Sequence, residues 1–179
     1  MKVSIASVRE VADNIDYLKR GNFNIISIRD TTPGPNKPYY DIIDNAGLPN
    51  LLVIQFDDLV GPIPNQYGRS ELPPSEENIK TILDWARQKM KENGNDFIVH
   101  CTGGISRSSA VAILVQYLKD PEKALKIINP MIHCPNEKVL EYGDKLLNSK
   151  TKEPVKKLMD EYSAQFVENV GQPGIKNVF

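Results

Sequence analysis

Hydrophobic positions in the first thirty residues change period twice. Residues 3–6 read as a short strand, and Val8, Val11, Ala12, Ile15 and Leu18 then recur at helical spacing. Ser7 stands before that helix with Glu10 three positions on, the pattern of a capping box, and Gly21 ends it. Residues 23–28 are an isoleucine-rich run and read as a buried strand. Strand, helix, strand in this order predicts a parallel crossover.

The pattern then loosens. Residues 31–50 are rich in Pro, Gly and Asn, a long excursion with one short helix expected near 40–45. Residues 51–56 form a third strand that ends in Asp57-Asp58, and a second Pro- and Gly-rich loop covers 60–74. Ser75 caps the next helix, Glu76 and Glu77 suit its dipole, and Ile79, Ile82, Leu83, Ala86 and Met90 make its buried stripe. Gly94 ends it. Residues 97–99 are a fourth short strand, and 108–118 form a helix that is apolar on nearly every position, hence central. Helices over 122–129, 136–147 and 154–170 follow, and 171–179 is a loose tail. The predicted class is α/β, one domain over 1–170, with a central, mostly parallel β-sheet flanked by α-helices.

Composition narrows the functional classes. The chain has 179 residues, is 40% hydrophobic and 25% charged, and carries a net charge of −1. That length favours one sizeable core, and that charge gives no basic surface for nucleic acid. The longest apolar run, 110–115, is far too short to span a bilayer, so no membrane association is expected. The N-terminus reads as a strand, not a signal peptide. Two cysteines, Cys101 and Cys134, are too few for a secreted disulfide framework, which points to a reducing, cytoplasmic setting.

The candidate chemistry lies between the fourth strand and the apolar helix. There the chain runs His100-Cys101-Thr102-Gly103-Gly104-Ile105-Ser106-Arg107-Ser108. A strand, a glycine-containing loop and a helix N-terminus together aim backbone N–H groups and a helix dipole at one point, where a phosphate would be held. Thr102, Gly103, Gly104, Ile105 and Ser106 would supply the cradle, and Gly103 and Gly104 would let the backbone turn and come close. Arg107 would grip two oxygens with its planar fork, which lysine cannot do. Cys101 would attack phosphorus as the thiolate, the form favoured at a helix N-terminus. Ser108 would hydrogen-bond the sulfur, and His100 would orient the loop through hydrogen bonds. Either Asp57 or Asp58, at the end of the third strand, would protonate the leaving oxygen, and alternation allows only one of them to face the site. The second His-Cys pair, His133-Cys134, has leucine six positions after the cysteine and no glycine loop, so Cys134 reads as structural. Tyr39 and Tyr40 read as half-buried loop residues, with stacking on an aryl phosphate the less favoured role. Asn136 reads as a helix cap, with water positioning the less favoured role.

His-Cys, five residues, then Arg-Ser is the signature of the cysteine-dependent protein tyrosine and dual-specificity phosphatases, and residues 23–147 resemble that superfamily. The resemblance implies a protein-tyrosine-phosphatase-like fold and a cysteinyl-phosphate intermediate. It also implies a phosphorylated protein or peptide as substrate, no cofactor and no metal, and the chain is expected to be a monomer. In similar proteins with a Phe-Asp-Asp run the second aspartate is the acid, which implies Asp58, with Asp57 the alternative. The 43 positions from Asp58 to Cys101 exceed the spacing usual in small members and imply an insertion around 63–73. Other readings are a phosphoinositide or RNA 5′-phosphatase of the same superfamily, sulfur transfer, or a non-catalytic phosphate-binding module. The uncharged loop residues before Arg107 disfavour the phosphoinositide.

Overall fold

The computed structural model describes residues 1–32, 34–61 and 71–170, the last six as backbone alone. The insertion expected around 63–73 falls mostly outside these residues, and the tail 171–179 wholly so.

Four strands, β1 (Val3–Ser7), β2 (Asn24–Arg29), β3 (Leu51–Gln55) and β4 (Phe97–Cys101), form one sheet in the order β1-β4-β2-β3. Every pairing is parallel. β1 and β2 are thus parallel as expected but not adjacent, because β4 lies between them. Alternation along the strands feeds two cores. Phe97 and Val99 of β4, with Ile26 and Ile28 of β2, join one cluster, while Ile25 and Ile98 join the other.

The helices divide accordingly. α1 (Val8–Asp13), α2 (Ile15–Gly21) and α3 (Lys37–Asn45) cover one face through Val8, Val11, Leu18, Tyr40 and Ile43. α4 (Glu76–Glu92), α5 (Arg107–Lys119) and α6 (Glu137–Leu147) cover the other, joined by Val155 of α7 (Lys152–Val170). α5 is buried at every position from Arg107 to Gln116, as its all-round apolar sequence requires. α6 approaches it so closely at Gly143 that a Cβ there would lie 2.3 Å from the Leu114 side chain.

Two expected helices differ. The helix expected over 8–21 is broken at Asn14, whose side-chain amide donates to the Glu10 carbonyl and competes with the helical ladder. Gly21 is the last helical residue, as expected, but the left-handed cap is Asn22 (φ 48°) rather than a glycine. The helix expected over 122–129 is a 3₁₀ segment, Pro121–Ile127. The expected capping box of Ser7 with Glu10 stands on α1, and Ser75 caps α4 as expected, with Asn78 as a reciprocal partner not expected from the sequence.

Candidate active site

All four strands point their carboxyl ends the same way, and the residues that follow β2, β3 and β4 meet there. β4 is interior to the sheet, so Cys101, only 2% exposed, sits at the centre of that edge. The loop after it turns directly into α5, with Ser106 at the N-cap and Arg107 as the first helical residue.

The two glycines behave differently. Gly104 has φ +73°, and a Cβ there would stand 2.8 Å from the Ala6 carbonyl carbon and 2.9 Å from the Ser7 nitrogen. The loop therefore rests on the backbone of β1, and the Val8 N–H donates to the Thr102 carbonyl at 3.3 Å. At Gly103 a Cβ would meet only the Ile105 side chain, at 3.5 Å, so the close approach expected of both glycines belongs to Gly104. Ile105 is itself half exposed, and its carbonyl accepts from the Cys134 N–H at 3.1 Å. The Cys134 thiol is exposed, and its backbone is what touches the loop.

The Cys101 sulfur lies 3.2 Å from the Ser108 hydroxyl. Arg107 is 3% exposed. Its Nη1 donates to the Phe56 carbonyl at 2.8 Å, and its Nη2 donates to the Thr102 hydroxyl oxygen at 3.2 Å. Nη2 also pairs with Asp30 at 2.7 Å. The Arg107 Nε is buried with no hydrogen-bond partner among the described residues.

Asp57 and Asp58, just past the end of β3, turn to different partners. Asp57 accepts from the Thr31 N–H at 3.0 Å, from the Thr31 hydroxyl, and from the Leu72 N–H at 2.8 Å. It ties the segment after β2 to the far end of the acid-bearing loop. Asp58 instead reaches the Cys–Arg loop, where it accepts from the Ser106 hydroxyl at 2.7 Å and from the Asn136 amide at 2.8 Å. Asn136 caps α6 through its oxygen, which accepts from the Lys138 and Val139 N–H groups, and holds Asp58 with its nitrogen.

Two expectations need correction. His100 is wholly buried, and neither ring nitrogen has a hydrogen-bond partner among the described residues, so the loop-orienting hydrogen bonds expected of it are not made. Burial pushes its pKa down to about 4, against a weaker opposing pull from the Cys101 backbone that falls short of hydrogen-bond geometry. Tyr40 is not on a loop edge but in α3, 3% exposed, with its ring in the core and its hydroxyl 3.3 Å from the Thr102 Oγ1. Its face is taken by the Arg29 guanidinium, 4.9 Å from the ring centroid, so it cannot stack on a substrate. Burial, with Asp30 as a lesser cause, raises its pKa.

The residue missed from sequence is Asp30, directly after β2. A carboxylate at a strand's carboxyl end was available as a signal, the same one that singled out Asp57-Asp58. A cleft of about 450 Å³ beside the loop is lined by Asp30, Asp57, Asp58 and Glu71. A second cavity of about 560 Å³, which Asp58 also lines, is mostly apolar and includes Leu59, Ser106, Asn136, Val155 and Met159. Among the described residues no cluster of His, Cys, Asp or Glu is arranged to hold a metal ion. No described helix is long and apolar enough to cross a membrane.

This is the fold of the protein tyrosine and dual-specificity phosphatases. The human tyrosine phosphatase-like serine/threonine/tyrosine-interacting protein matches 82% of this chain over 91% of its own, with TM-score 0.54 and 14% identity. PTPMT1 matches 92% over 95% of its own chain, with TM-score 0.51 and 16% identity. Human DUSP28 matches 91% over 94%, with TM-score 0.50 and 14% identity. No protein-family model matches the sequence, and no curated protein does. At these identities the likeness defines the architecture, while the chemistry rests on the residues above.

Proposed function

We propose that the protein is a cysteine-dependent phosphatase that hydrolyses phosphotyrosine, and phosphoserine or phosphothreonine where the cleft admits them, through a cysteinyl-phosphate. The observation that carries this is Arg107: a buried guanidinium at the N-terminus of a buried helix, with one N–H unpaired among the described residues and a buried cysteine at the other end of its loop. A buried donor without a partner is costly, and a phosphate oxygen held by the loop would satisfy it.

In the first step the Cys101 sulfur forms a bond to phosphorus while the bond to the leaving oxygen breaks, and Asp58 gives that oxygen its proton. In the second, Asp58 takes a proton from water, the water oxygen bonds to phosphorus, and the sulfur leaves as thiolate with the Ser108 hydroxyl donating to it. Ser106 and Asn136 hold Asp58 over the loop for both steps. Asp57 has both oxygens engaged elsewhere, which supports Asp58 as the acid.

A neighbouring fold has been seen with a phosphoinositide, PTPMT1 in complex with PI(5)P. Here the adjoining cleft carries four carboxylates, which would repel a polyanionic headgroup and suit a peptide. The phosphatase-like interacting protein keeps a binding-only reading in view. Metal-free hydrolysis of para-nitrophenyl phosphate and of phosphopeptides tests the proposal. Cys101→Ser should abolish turnover, and Asp58→Asn should slow it by about a hundredfold or more for poor leaving groups. A Cys101→Ser protein with full activity would refute it, and tight phosphopeptide binding with no hydrolysis would establish the binding module instead.

A further inference from the structure

Asp30 takes no part in the two steps above, yet it is wired into the loop that performs them. Its Oδ1 pairs with the Arg107 Nη2 at 2.7 Å, and its Oδ2 accepts from the Thr102 hydroxyl at 2.6 Å. Thr102 Oγ1 lies 3.2 Å from the same Nη2, which closes a ring of three side chains around the start of the loop. Behind this ring the Tyr40 hydroxyl touches Thr102, and Arg29 lies over the Tyr40 ring. Arg29 is in turn held by both Asp44 oxygens, at 2.6 and 2.8 Å. The long excursion after β2 is thereby connected to the Cys–Arg loop through polar contacts that do not involve Cys101.

The guanidinium geometry gives this wiring a meaning. The Phe56 carbonyl fixes Nη1 and Asp30 with Thr102 fixes Nη2, so the guanidinium plane is set and Nε is the nitrogen without a partner among the described residues. Asp30 also supplies the counter-charge for a cation that is 3% exposed. We infer that Asp30 is a positioning residue, which acts through Arg107 to hold the open donor toward the bound oxyanion. This rests on the phosphatase reading for its role in turnover but not for its role in oxyanion binding.

The experiment measures tungstate binding by isothermal titration calorimetry, alongside kcat and KM on para-nitrophenyl phosphate. Asp30→Ala should weaken tungstate about tenfold or more, the loss of a charged hydrogen bond, and lower kcat/KM by at least as much. Asp30→Asn keeps one acceptor oxygen and should recover part of that loss. Because Asp30 acts through Arg107, the Asp30→Ala/Arg107→Ala double variant should bind tungstate within about twofold of Arg107→Ala alone. A merely structural residue would lower the unfolding temperature and leave the tungstate affinity of the folded protein unchanged. If Asp30→Ala does not fold, Thr102→Val, which removes one arm of the ring, should weaken tungstate by a smaller factor that again vanishes without Arg107. Unchanged tungstate affinity in Asp30→Ala, or full additivity with Arg107→Ala, overturns the inference while leaving the phosphatase reading intact. Coupled tungstate binding in a protein that hydrolyses no phosphate overturns the phosphatase reading and keeps the inference, and no tungstate binding at all overturns both.

Discussion

A single methyl group placed on Gly104 probes how the phosphate loop is held. At φ +73° an L-residue pays about 1–2 kcal/mol for the left-handed conformation. The new Cβ would also stand 2.8 Å from the Ala6 carbonyl carbon, 2.9 Å from the Ser7 nitrogen and 3.0 Å from the Ala6 oxygen. These are main-chain atoms of β1, registered against β4 at Ala6↔His100 and Ser7↔Cys101, so they cannot retreat without disturbing the strand that carries the cysteine. Overpacking of this kind costs about 1–3 kcal/mol. Together the terms give about 2–5 kcal/mol, a large share of the stability of a typical domain. With a urea slope of about 2 kcal/mol/M the unfolding midpoint should fall by about 1–2.5 M, and aryl phosphatase activity should fall with it. Gly103→Ala is the internal control: its Cβ meets only Ile105, at 3.5 Å and 3.6 Å, and its effect should stay within about 0.5 kcal/mol. A Gly104→Ala protein with the wild-type midpoint, or a Gly103→Ala protein equally damaged, would show that contact with β1 does not set the loop.

Two further outcomes follow from the same geometry. Asp57→Ala removes the acceptor for Thr31 and Leu72 and should cost about 1–3 kcal/mol in urea unfolding while reducing kcat less than Asp58→Asn; a larger kcat loss at Asp57 would move the acid to that residue. His100 has a folded pKa of about 4, below the ordinary histidine value of 6.5, so its contribution is present above pH 6.5 and is lost as pH falls toward 4. Between pH 6.5 and pH 5 that loss is about 1–2 kcal/mol, and it should be absent in a folded His100→Asn protein; parallel stability–pH curves for the two proteins would contradict the burial argument.

What the sequence revealed of this site follows from the range of the interactions involved. The capping box at Ser7, the cap at Ser75, the stripe of α4 and the all-round apolar α5 depend on neighbours a few positions away, and each is where the pattern places it. The break at Asn14 was hidden because Val11 and Ala12 before it and Leu18 after it all reach one cluster, so the hydrophobic period runs on across a hydrogen-bonding defect. The order of the strands was hidden too, since β1 meets β4 across more than ninety positions and no local pattern records that pairing. Asp30 shows the consequence. Asp57-Asp58 and Cys101 were singled out because each follows a strand, and Asp30 follows one as well. Its importance appears only when β2 is set between β4 and β3, which brings its carboxylate onto an arginine 77 positions further along the chain. A strand-end carboxylate in a parallel sheet is therefore a candidate partner for the loop of every neighbouring strand, and sheet order decides which of those candidates makes the contact.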